Sequence, residues 1–172
     1  MGDLASAVAT YDSIVRLWPD DVPVYANRGF ARFAAGDFSG AAADFERAAQ
    51  GMSANPYVPL WRYLARARLG EKDPAELERS LKSIDQTAWP APVLGLFLSR
   101  DKPEAVRAAA AKGDAAGRAD RGCEAAFYLG EYALLEGRRD DALTLLRQAG
   151  DQCPAGMTER AAARGEAARL AK

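Results

Sequence analysis

"YANRGFARFAAGDFSGAAADFERAAQ", residues 25–50, reads as two short amphipathic helices joined by a two-residue break, Gly36-Asp37. Gly29 lies inside the first helix, where glycine costs about 1 kcal/mol against alanine. In the second, Ala41 and Phe45 are four apart and share one face. Two antiparallel helices approach closely only where one presents a small residue, so an interior glycine points to a close helix pair. Gly29 is expected to face Ala41, with Phe45 filling the space toward a neighbouring unit.

The same wording recurs along the chain. At an offset of 34, Gly2-Asp3 matches Gly36-Asp37, Ala7 matches Ala41, Tyr11 matches Phe45 and Ile14 matches Ala48. Placed on Gly137, the frame puts Ala142, Leu146 and Ala149 at those positions and Gly130 at that of Gly29. Pro19 and Pro154 close their units. This pattern resembles the tetratricopeptide repeat (TPR), with its 34-residue period and glycine, alanine and aromatic skeleton. Arg32 stands where that family carries an aromatic residue, and Ser53 where it carries a proline.

The expected fold is therefore all-α: an α-α superhelix, a TPR-like solenoid of antiparallel helix pairs, forming one domain over 1–172. Its units are 2–21, 22–55, 57–86, an atypical 88–114, and 122–154. Helix 158–171 is expected to cap the end, as solenoids require. In 57–86, Trp61, Leu64 and Ala65 are expected to pack against Leu77, Leu81 and Ile84. Pro103 opens the second helix of the atypical pair. "GDAAGRADRG", 113–122, carries three glycines and is expected to be a flexible connection. Met1 leads straight into helix, as though an earlier helix had been trimmed.

Composition narrows the function. The chain has 172 residues, about half of them apolar, a net charge of −1 and no histidine. Without histidine the commonest general base, metal ligand and partner of a nucleophile is missing. A near-neutral charge gives no drive toward nucleic acid. No apolar run reaches the ~18 residues of a membrane span, so direct membrane insertion is not expected. Asp20-Asp21 and Asp140-Asp141 sit at helix starts, where acids meet the helix dipole favourably. No phosphate loop or metal-ligand spacing occurs, so no cofactor, metal or catalytic residue is assigned and no enzyme activity is expected.

A narrower resemblance rests on "CEAAFYLGEYALLEGRRDDALTLLRQAGDQCP", 123–154, with "LWRYLARARLG" and "WPAPVLGLFLSR" before it. These stretches look like bacterial TPR proteins of the NlpI lipoprotein type, although Arg160 replaces an expected aromatic residue and no lipobox cysteine is present. The resemblance implies a non-enzymatic adaptor of the periplasm or cell envelope with a protein or peptide partner. The alternative is a cytoplasmic assembly subunit that self-associates through solenoid ends.

In a TPR array the exposed face of each first helix lines a groove. Here that face is expected to hold Asn27, Phe30 and Phe33, then Arg62, Tyr63 and Arg66, and finally Glu124, Tyr128 and Glu131; the equal alternative for Phe30 and Phe33 is packing against the preceding helix. Asparagine amides bind peptide backbone, and Arg62 and Arg66 are spaced to fork onto a carboxylate. A full carboxylate clamp would also need lysines that the matching positions lack; the alternative is an ordinary solvated face. Trp18, Trp61 and Trp89 are expected to pack at unit junctions. The only cysteines, Cys123 and Cys153, fall at one end of the last helix hairpin. They are expected to form a disulfide, the alternative being two reduced, packed thiols.

Overall fold

The computed structural model describes residues 2–52 and 54–172, with side chains placed from Leu4 onward; the Ser53 departure and the Asp3 side chain lie outside the described residues. Ten helices and no strands occur among the described residues: α1 (Gly2–Leu17), α2 (Val22–Ala35), α3 (Phe38–Ala49), α4 (Tyr57–Arg68), α5 (Ala75–Ser83), α6 (Ala91–Phe97), α7 (Pro103–Ala110), α8 (Ala115–Leu135), α9 (Arg139–Gln152) and α10 (Thr158–Leu170). They form two compact units, residues 1–76 and 77–172.

In the first unit α1, α2, α3 and α4 pack in succession, each on the next. The Gly36-Asp37 break stops one helix and starts another. Gly36 takes the left-handed conformation (φ 89°), and its N–H and that of Asp37 return to Phe33 and Arg32 carbonyls. The Asp37 carboxylate then accepts from the Gly40 N–H at 2.9 Å and caps α3. Gly70, 34 residues on, ends α4 in the same way (φ 84°), with the Glu71 N–H bonded to the Arg66 carbonyl. Gly137 repeats the turn after α8, with the Arg138 N–H on the Ala133 carbonyl.

Ala41, Phe45 and Ala48 on α3 are fully buried, as are Ala142, Leu146 and Ala149 on α9. The partner of each helix glycine differs from expectation, however. A Cβ on Gly29 would lie 2.9 Å from the Phe45 ring, and one on Gly130 would lie 2.8 Å from Leu146 Cγ. Each glycine thus receives the large residue, not the alanine one turn earlier. Glycine leaves the socket, and the aromatic or leucine side chain fills it.

In the second unit α8 pairs with α9, and α10 packs on α9 and touches α8. Trp61, Leu64, Ala65, Leu77 and Leu81 are buried as expected, whereas Ile84 lies beyond α5 and is only partly covered. The expected flexible link at 113–122 is instead ordered. Gly113 turns with φ 88°, Asp114 caps α8 by accepting from the Gly117 N–H at 2.8 Å, and the helix runs on through Gly117 and Gly122. Arg118 and Arg121 donate back to the Gly113 and Lys112 carbonyls. Capping and these returns outweigh the propensity cost of two glycines. No helix among the described residues is long and apolar enough to cross a membrane.

Candidate functional site

The nine expected groove residues separate into four groups. Asn27 is exposed on α2 and Tyr63 is half-buried on α4. Phe30 and Phe33 instead join an aromatic cluster. Phe30 meets Phe45 and Trp61 edge-on at 5.1 and 5.0 Å, and Phe33 meets Phe38 and Trp61 at 5.1 and 5.0 Å. Phe33 is fully buried, so it belongs to the core and not to an open groove.

Arg62 and Arg66 are one turn apart on α4 but already hold carboxylates of their own unit. Arg62 pairs with Glu46 at 3.2 Å and with Glu76; Arg66 pairs with Glu71 at 3.1 Å and Asp73 at 3.9 Å. A ligand carboxylate would compete with these acids. Glu46, Glu71 and Asp73 are more than half exposed, so those pairs are individually weak.

Glu124, Tyr128 and Glu131 are buried, which removes them from an open groove. Glu124 accepts from Trp89 Nε1 at 2.9 Å, and the Tyr128 hydroxyl donates to Glu159 of α10 at 3.1 Å. This helix face is covered by the chain's own segments before and after it. Trp61 and Trp89 pack as expected, but Trp18 is 58% exposed beside Leu17 at 68%.

A second arginine pair was not singled out from the sequence. Arg28 holds buried Asp44 through two bonds, at 2.9 and 2.6 Å, and reaches Asp12 at 2.9 Å. Arg32 binds the same two acids at 2.9 and 3.3 Å. Arg28, Arg32, Asp12 and Asp44 thus form a charged cluster between α1, α2 and α3. Hydrogen bonding to Asp44 is the largest cause that raises the Arg28 pKa above the ordinary guanidinium value; burial opposes it, and the Asp44 and Asp12 charges reinforce it. The clue lay in the repeat. Arg28, Arg32 and Asp12 return 34 residues later as Arg62, Arg66 and Glu46, and the Arg28–Asp12 pair returns as Arg62–Glu46.

Cys123 and Cys153 are bridged, with Cα atoms 5.0 Å apart. Cys123 lies two turns inside α8 rather than at its start. Among the described residues, no group of three or more Cys, Asp or Glu is placed to hold a metal ion. No protein-family model matches the chain.

Proposed function

We propose that the chain is a non-enzymatic TPR-type scaffold or adaptor that binds a protein or peptide segment in the bacterial cell envelope. The observation that carries this reading is the helix-pair contact found in both units: an interior glycine receiving a large side chain, followed by a left-handed glycine. Units of this kind bury their faces against neighbours and are suited to display an extended binding surface. The Cys123–Cys153 bridge supports an oxidising compartment and, with the NlpI-type resemblance, the envelope placement. Neither cofactor nor metal enters the mechanism; binding is the activity.

The test is selection from a random peptide display library on the purified chain, followed by calorimetry on the selected peptides. A recurring motif that binds with one-to-one stoichiometry supports the reading. Failure to enrich any motif over a scrambled library counts against it.

Exposed Leu17 and Trp18 favour the second reading, a cytoplasmic assembly subunit that self-associates through its ends. Sedimentation of the wild type and of Trp18→Ser decides this: a concentration-dependent oligomer that Trp18→Ser dissociates would favour assembly.

A further inference from the structure

Residues of α7, α8 and α9 line an open cavity of about 240 Å³. Arg107 and Ala110 of α7, Arg118, Ala125 and Ala126 of α8, and Gln148 of α9 line it. It opens on a different face of α8 from Glu124, Tyr128 and Glu131. At about 100° per residue, the two sets are centred roughly 140° apart. The three alanines are buried and form an apolar floor, while both arginines are exposed.

Some arginines of this unit are neutralised by an acid and others, Arg107 and Arg118 among them, are not. Arg100, Arg138 and Arg169 each pair with a glutamate or aspartate. Arg118 is hydrogen-bonded only to the Gly113 carbonyl, and neither Arg107 nor Arg118 forms an ion pair with any described residue. Two guanidinium groups therefore border one apolar cavity without an acid to neutralise them.

We infer that this cavity is a binding site for an aspartate or glutamate side chain of a protein partner; the inference rests on the peptide-binding reading and places its site. A guanidinium offers a planar fork of donors that matches a carboxylate. The alanine floor accepts the aliphatic stem, and the Gln148 amide can bond the passing backbone. The lining residues include no hydroxyl and no ammonium, and the Gly117 N–H at the start of α8 is already taken by Asp114. This donor set suits a monoanion on a carbon stem better than it suits phosphate. The volume is below the roughly 300–1,000 Å³ of drug-sized ligand pockets and suits one side chain.

The test is amide NMR titration of the full chain with acetylated, amidated tripeptides Ala-Asp-Ala and Ala-Glu-Ala, with Ala-Asn-Ala as control. The acidic probes are expected to shift the signals of Ala110, Gly122 and Ala126. The double variant Arg107→Gln with Arg118→Gln is expected to weaken binding at least tenfold. Gly122 lines the cavity, and a Cβ there meets no atom within 4 Å. Gly122→Leu is therefore expected to block the site without changing charge, its dispersed spectrum showing that it folds. Equal shifts with Ala-Asn-Ala, tighter binding of inorganic phosphate, binding only of a free peptide C-terminus, or unchanged binding in both variants would each overturn the assignment. Display-selected peptides that keep their affinity in both variants remove this site and leave the broader reading standing. Acidic probes that bind here while display selects nothing keep the site and remove the broader reading.

Discussion

Replacing Gly29 by alanine sets two effects of known sign against each other. Alanine gains about 1 kcal/mol of helix propensity over glycine. Its Cβ, however, would stand 2.9, 3.0 and 3.2 Å from three atoms of the Phe45 ring, where carbon atoms prefer about 3.5–4.0 Å. The ring would have to retreat by about 0.6 Å to reach the near end of that range. It has little room, because Phe30 meets it edge-on at 5.1 Å and Trp61 lies at 6.3 Å. Overpacking of this kind costs about 1–3 kcal/mol. The net expectation is a destabilisation of about 0–2 kcal/mol.

A control removes the propensity contribution. Gly122 is also inside a helix, but an added Cβ there meets nothing within 4 Å. Gly122→Ala should therefore stabilise by about 0.5–1 kcal/mol. Subtracting one variant from the other leaves the contact alone, about 1–3 kcal/mol. The assay is urea unfolding of both variants by far-UV circular dichroism and tryptophan fluorescence, with unchanged slopes required for the comparison. If the two variants were equally stabilising, the glycine would not be a socket for Phe45. The structural account of the repeat would then fail at its central contact.

Three other changes probe separate parts of the fold. Asp44→Asn leaves Arg28 and Arg32 with only half-exposed Asp12 from their cluster; it should cost about 2–4 kcal/mol in urea unfolding, at or just below the usual loss for breaking a buried pair. Arg28 has its pKa raised above the ordinary guanidinium value, so its contribution is complete throughout pH 6–9 and is lost only in strong alkali; stability should not fall through its titration in that range. Reduction of the Cys123–Cys153 bridge, which spans 30 residues, should cost about 3–4 kcal/mol on the chain-entropy model, and a thiol assay on denatured, unreduced protein should find no free thiol. Deleting 158–172 uncovers the α9 face that carries Ala149 and Gly150, so sedimentation should show association; a monomer of unchanged stability would rule out α10 as the cap.

The helix pairs were legible because their signals are local. A Gly-Asp break, an alanine and an aromatic four residues apart, and a proline at a helix start all act within a few residues. The candidate groove was less legible because exposure depends on what covers a face. Tyr128 and Glu124 have the right helical period for a first-helix surface, yet Glu159 comes from 31 residues later and Trp89 from 35 residues earlier. Single-helix periodicity cannot reveal such partners. The Arg28–Asp44 contact spans two helices in the same way, but its relatives at Arg62 and Arg66 were visible in the 34-residue frame. At 113–122, counting glycines gave the wrong expectation because Asp114 was not weighed as a cap.

The two units secure their helix pairs by different chemistry, and the sequence difference is specific. In the frame that aligns Gly137 with Gly36, the positions of Arg28 and Arg32 become Leu129 and Ala133, both buried. The second unit therefore has no counterpart of the arginine cluster on its first helix. Its tie lies farther toward the N-terminus of α8. Residues 115–122 of that helix are exposed or partly exposed, and two of them are glycines. Cys123 is the first buried residue, and 124–131 are all buried after it. The bridge to Cys153 thus fixes α8 to the end of α9 at the point where the helix passes from solvent into the core. Packing and the Trp89–Glu124 and Tyr128–Glu159 hydrogen bonds hold the helix beyond that point, whereas before it a glycine-containing helix has few apolar contacts to hold it. A covalent tie at this boundary limits fraying from the exposed segment into the core, which an ion pair on the solvent side would do less well. A charge cluster ties the helix pair of the first unit and a covalent bond ties that of the second, so reductant acts on the second unit and leaves the first unit's cluster untouched.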